Sequence, residues 1–116
     1  SEVVVHTKRL QVEHLMPRKW RKNWPLPEGE DAAEAREELI HTIGNLTLLT
    51  KKLNQKNSNE GWEKKRKLIS KHGALALNRQ LADEESWDEG MIRKRAATLF
   101  KIAANIWPRP GNASEG

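Results

Sequence analysis

Val12-Glu13-His14-Leu15-Met16-Pro17 and Gly44-Asn45-Leu46-Thr47-Leu48-Leu49-Thr50 are the two stretches whose reading decides the fold. Leu10 with Val12, and Leu46 with Leu48, recur at period two, the pattern of short strands that bury one face. We read strands over 10–15 and 45–50 and expect them to pair with each other. Between them lie a Trp- and Pro-rich loop, Trp20 to Pro27, and an Ala/Glu-rich helix over 31–41 with Ala32, Ala35 and Leu39 on one stripe. Asp31 is placed to cap that helix, and Gly44 to end the insertion in a left-handed conformation.

After the second strand, Asn54 to Asn59 is polar and turn-rich, and Asn59, Glu60 and Glu63 mark the start of a helix over 60–72. Trp62 and Ile69 share its buried face, Leu68 lies near the edge, and Gly73 terminates it. Ser86-Trp87-Asp88-Glu89 has capping-box spacing and opens a helix over 87–107, along which Ile92, Ala96, Leu99, Ala103 and Ile106 trace a stripe as far as Pro108. Residues 109–116 read as a flexible tail. The expected fold class is α+β and mostly helical, a single domain over 1–108. Trp62, Trp87 and Trp107 are read as packing. Trp20 and Trp24, in a polar loop, are candidates to meet DNA or another domain.

Composition narrows the function classes. A chain of 116 residues with 36% hydrophobic and 32% charged residues suits one small folded unit with a solvated surface. It has no cysteine, which removes disulfides and thiolate zinc sites and fits a reducing, cytoplasmic compartment. No apolar run approaches the length of a membrane span, and Ser1-Glu2-Val3-Val4-Val5 lacks the features of a secretory leader, so no membrane partner is expected. The net charge of +5 favours polyanions. Basic residues gather at Lys51, Lys52, Lys56, Lys64, Lys65, Arg66, Lys67 and Lys71, opposed in that stretch only by Glu60 and Glu63.

The chemistry is concentrated in Glu13, His14, Asn45 and Asn54. One carboxylate and one amide are hard oxygen donors that leave most of an octahedral shell open, so Mg²⁺ or Mn²⁺ could hold water and a phosphate oxygen together. Neighbouring side chains on a regular strand point to opposite faces, so Glu13 and His14 serve one phosphate only if the strand bends, and Pro17 gives a reason to bend. Each element alone has a plainer reading: a surface His–Glu pair, a Gly-Asn turn, a capping loop.

The order strand, connection, strand, helix, with His on the first strand and Asn at the turn into the helix, resembles the ββα-metal (HNH, His-Me finger) nucleases. Val-Glu-His-Leu-Met-Pro, Ile-Gly-Asn-Leu-Thr-Leu-Leu, Trp62-Glu63-Lys64-Lys65, Trp87 with Arg95, and Trp107-Pro108 look like the C-terminal domain of GmrSD-type modification-dependent restriction enzymes, with related domains in SspE-like phage-defence proteins. The resemblance runs from about Val12 to Pro108. It implies a ββα-metal finger with a helical insertion and a long C-terminal helix. It also implies a DNA endonuclease that nicks or cleaves, working with a neutral His14 as general base and one divalent cation, Mg²⁺ or Mn²⁺, held by Glu13 and Asn54. Asn45 would orient the loop that carries the base.

DNA contacts are expected from Lys64, Lys65, Arg66, Asn57, His41 and Arg95, giving salt-sensitive and sequence-independent binding. Target choice would come from an N-terminal sensor or NTPase-type domain or a partner subunit. The competing class is a catalytically silent basic module that docks DNA or a protein. A helical interaction domain with an accidental motif ranks last.

Overall fold

In the computed structural model, which describes residues 9–74 and 78–106, two short strands and five helices surround a core in which four tryptophans pack among Leu, Ile and Met side chains. Strand β1, Gln11–His14, runs antiparallel to β2, Leu46–Leu49, in the register Gln11↔Leu49, Val12↔Leu48, Glu13↔Thr47 and His14↔Leu46. The insertion holds helix α1, Ala32–Ile40, and a 3₁₀ turn at Ile43–Asn45. Beyond β2 come α2, Gln55–Ser58; α3, Trp62–His72; α4, Asn78–Ala82; and α5, Glu89–Ile106. Leu49 also bridges to Gly73, so the chain leaving α3 pairs with the free side of β2, with Thr50 donating to the His72 carbonyl and Ala74 to that of Leu48. The molecule is α+β and mostly helical, with a two-stranded antiparallel sheet and a long last helix. The proposed core role of Trp107 and the tail over 109–116 lie outside the described residues.

The strands pair as expected, but the face they bury is the opposite one. Leu10 and Val12 are 49% and 62% exposed, while Glu13 is 8% and Thr47 3% exposed. The period of two is real, and a polar pairing offsets the cost of turning Glu13 inward. Trp20 and Trp24 do not reach out of their loop. They are core residues, with indole N–H groups donating to Glu37 Oε1 at 2.9 Å and the Glu60 carbonyl at 3.1 Å. Trp62 stacks on Trp87 at 5.2 Å and meets Trp24 edge-on at 6.3 Å. Trp62 and Ile69 are buried, at the spacing read for α3.

Helix α1 turns a different stripe inward. Arg36 and Ile40 are its buried residues, and Ala32, Ala35 and Leu39 are only partly covered. Arg36 is tolerated there because it donates to the Trp24 and Pro25 carbonyls, forks onto both oxygens of Glu89 at 3.2 Å, and lies over the Trp20 ring. It joins the tryptophan loop, α1 and α5.

Two side-chain caps and one glycine depart from the reading of the sequence. Asp31 makes no side-chain cap bond. Asp88, rather than Ser86, caps α5, accepting from the Met91 N–H at 2.9 Å. Gly44 is not left-handed, since Gly29 is the only described residue with positive φ, whereas Gly73 does end α3. Gly73 is extended, with the Asn78 side chain against it. Gly44 is required for proximity: a Cβ there would lie 2.0 Å from the Ile92 carbonyl oxygen of α5. Gly44→Ala is expected to push α5 off the 3₁₀ turn and lower stability by about 1–3 kcal/mol, measurable by urea unfolding.

The stripe on α5 is buried only at its start. Ile92 is fully covered, Ala96 and Leu99 are partly covered, and Phe100 and Ile106 are 74% and 57% exposed. No helix among the described residues is long and apolar enough to cross a membrane.

Candidate active site

Glu13, His14, Pro17, Arg18, Lys19, Lys52, Leu53, Asn54 and Ser58 line one open groove between the end of β1 and the start of α2. The sheet and the tryptophan core place the two sides. On one side, β1 ends at His14 and the chain continues through Leu15 and Met16, both fully buried. Asn45 holds that turn. Its carbonyl accepts from Leu15 N–H at 2.8 Å, its Oδ1 accepts from Met16 N–H at 2.8 Å and Trp87 Nε1 at 3.1 Å, and its Nδ2 donates to the Met16 and Ile40 carbonyls. Asn45 is 0% exposed, and its contacts hold the backbone of the turn.

On the other side, Asn54 caps α2, its Oδ1 accepting from the Asn57 N–H at 2.8 Å. One turn later Ser58 donates its hydroxyl to Glu13 Oε2 at 2.7 Å. Lys65 of α3 places its ammonium 2.6 Å from the same oxygen and also donates to the Ser58 carbonyl. Glu13, Ser58 and Lys65 thus form a closed polar triangle across β1, α2 and α3. Burial pushes the Lys65 ammonium below its ordinary range, and Glu13 opposes that shift.

Both contacts on Glu13 fall on Oε2, and among the described residues Oε1 has no hydrogen-bond partner. No described buried side-chain oxygen or nitrogen is unpartnered, so Oε1 must have solvent access. Asn54 Oδ1 has spent one lone pair on its cap and keeps another. Glu13 and Asn54 both line the groove, and their oxygens are of the hard type that Mg²⁺ or Mn²⁺ takes. No cluster of three His, Cys, Asp or Glu side chains exists among the described residues, so a cation would have few protein donors.

His14 is half-buried at the rim, with the His41 ring edge-on at 5.4 Å. Its pKa is lowered, first by burial and then by His41, Arg18 and Lys65, against a smaller upward pull from Glu13. The imidazole is held neutral near pH 7, the state a proton acceptor needs.

The expected nucleic-acid contacts are redistributed. Lys65 is fully buried in the triangle, so it cannot track a phosphate backbone. Arg66 is bound to Glu63 at 2.8 Å and the Glu84 carbonyl at 2.9 Å, and Lys64 pairs with Glu60 in the turn that precedes α3. Arg95 donates to the Ile43, Gly44 and Leu46 carbonyls and pins the 3₁₀ turn to α5. Asn57 sits in α2, and exposed His41 follows α1; neither lines the groove. The cations that line it are Arg18, Lys19 and Lys52, all exposed.

Lys52 was visible in the sequence only as one of the basic run, and Arg18 and Lys19 not at all as contacts, although each lies within five residues of His14 or Asn54. Ser58 was also missed. Its signal is the four-residue step from Asn54, which stacks the two on one face of a helical turn.

Residues 2–102 match the family model described as GmrSD restriction endonucleases, C-terminal domain. No curated protein and no solved structure matches the chain.

Proposed function

Since the chain belongs to the family of C-terminal domains of GmrSD restriction endonucleases, a nuclease family of restriction systems, we propose that it is an HNH-type, metal-dependent DNA endonuclease domain with its centre in the His14 groove. The observation that supports this reading is that a half-buried histidine of lowered pKa, a glutamate and an asparagine line one groove together with three exposed cations.

In the proposed reaction, His14 takes the proton from the water that attacks phosphorus, and Asn45 keeps the His14 turn in place. Arg18, Lys19 and Lys52 hold the backbone on either side of the scissile linkage. Glu13 Oε1 and Asn54 Oδ1 would hold one Mg²⁺ or Mn²⁺, which when bound would offset charge on the phosphate and the departing oxygen. Selection of target DNA in the cytoplasm falls to an N-terminal sensor or NTPase-type domain or a partner subunit.

The test is conversion of supercoiled plasmid to nicked or linear forms, with Mg²⁺, with Mn²⁺ and with excess chelator. Metal-dependent conversion supports the reading. Intact plasmid with both ions, at high protein concentration and with the rest of the restriction system supplied, sinks it. The competing silent module draws support from Lys65, which already neutralises Glu13. It predicts salt-dependent DNA binding without cleavage.

Two smaller effects are expected at the groove. Replacing Arg18 and Lys52 together with glutamine should flatten the slope of log affinity against log salt by about 2 on duplex DNA, at roughly 0.9 for each phosphate no longer neutralised. The acid limb of the kcat/KM profile should lie below pH 6.5, the ordinary histidine value, because the His14 pKa is lowered. The same shift makes the unfolded chain bind more protons than the folded one below pH 6.5, so His14 contributes a fall in stability as pH drops through that window. A limb at or above pH 7 would place the base elsewhere.

A further inference from the structure

Lys65 is the one charged side chain of α3 with no exposure, and it is spent on a carboxylate that faces the groove. An exposed lysine could swing away when a second cation approached the same carboxylate. Lys65 cannot leave without stranding its charge in the core, because its ammonium is held between Glu13 Oε2 and the Ser58 carbonyl. The charge of Glu13 is therefore already balanced, and the amide of Asn54 adds none. Arg18, Lys19 and Lys52 make the groove wall positive. A divalent ion entering at Oε1 meets two suitable oxygens and no net negative charge, and affinity for hard cations falls with ligand charge count.

We propose that Lys65 is a positioning residue and the resident counter-charge of Glu13, which keeps the free domain from holding a divalent cation until a nucleic-acid phosphate supplies the missing negative charge. This rests on the metal-dependent nuclease reading and adds the order in which the site is filled. Cation and DNA then bind cooperatively, and each raises the affinity for the other by the same factor. Without DNA, the groove is guarded against idle metal loading.

The test is Mn²⁺ titration followed by paramagnetic broadening of the Glu13 and Asn54 amide signals in ¹⁵N spectra. His14→Ala protein is used so that DNA stays intact, with and without a short duplex. Without DNA the dissociation constant should be about 1 mM or weaker, and duplex should tighten it at least tenfold.

Lys65→Gln, added to that background, should tighten Mn²⁺ binding without DNA by about tenfold and shrink the effect of duplex. Lys94→Gln, at an exposed position of α5 outside the groove, should leave both unchanged. Tight Mn²⁺ binding by the Lys65 protein without DNA overturns the proposal, and so does an unchanged affinity in Lys65→Gln. Broadening that never occurs, even with duplex, overturns the metal-dependent reading and the proposal with it. Should Lys65→Gln fail to fold, the comparison with and without duplex decides alone.

Discussion

His14→Ala should lower plasmid cleavage by about 10²–10⁴-fold, the usual contribution of a positioned proton acceptor, while leaving DNA affinity and its salt dependence unchanged. Among the described residues that line the groove, His14 alone is suited to the task. Glu13 shares its Oε2 between an ammonium and a hydroxyl, and Asn54 cannot accept a proton near neutral pH. His41 is the nearest substitute, with its ring 5.4 Å away, but it stands outside the groove. His41→Ala should therefore cost much less, and the His14→Ala, His41→Ala pair should be no slower than His14→Ala alone. The His14 side chain makes none of the hydrogen bonds that hold the turn, so thermal unfolding of the alanine variant should match that of the native chain. Cleavage by His14→Ala at the native rate would remove the enzyme reading of this groove.

How much of this could be read from the residues varies from element to element. The pairing of the two strands and the helices α1, α3 and α5 were legible, because periods of two and 3.6 with Gly and Pro punctuation are local signals, whereas the short helices α2 and α4 carry too few turns to show a period. The buried face of the strands was not, because apolar Leu10 and Val12 point outward and Glu13 inward. That inversion depends on Lys65, 52 positions away and on another element. Lys65 carried a hint, since it lies three residues after Trp62 and four before Ile69, on the same helical face. A lysine so placed asks for a buried carboxylate.

The tryptophan loop misled because its flanking charges suggested solvent, whereas Arg36 satisfies its carbonyls and draws it into the core. Backbone carbonyls claim Arg66 and Arg95 in the same way, and no single-sequence pattern announces that. The histidine and the amides of the motif were legible as residue types at a spacing. Which cations would face the substrate was not, because that depends on which ones the fold leaves unspent.

Asn45→Ala should be the most damaging substitution for stability, because one side chain satisfies four buried groups. Its loss leaves the Met16 N–H and carbonyl, the Ile40 carbonyl and the Trp87 indole without partners. Each unsatisfied buried group costs about 1–3 kcal/mol, and relaxation recovers part of that, so a total of about 3–5 kcal/mol is expected. A small domain holds only about 5–15 kcal/mol. Urea unfolding should therefore show a much lower midpoint with an unchanged slope.

Asn45→Asp separates the halves of the network. The acceptor to Met16 and Trp87 survives, while a carboxylate oxygen now faces the Met16 and Ile40 carbonyls, so this variant should be no better than alanine. The same bonds fix the chain two residues after His14, so whatever Asn45→Ala protein stays folded should also cleave poorly at saturating DNA, with kcat falling more than KM rises. A loss of stability below about 1 kcal/mol would mean that water replaces the amide and that this network does not set the His14 turn.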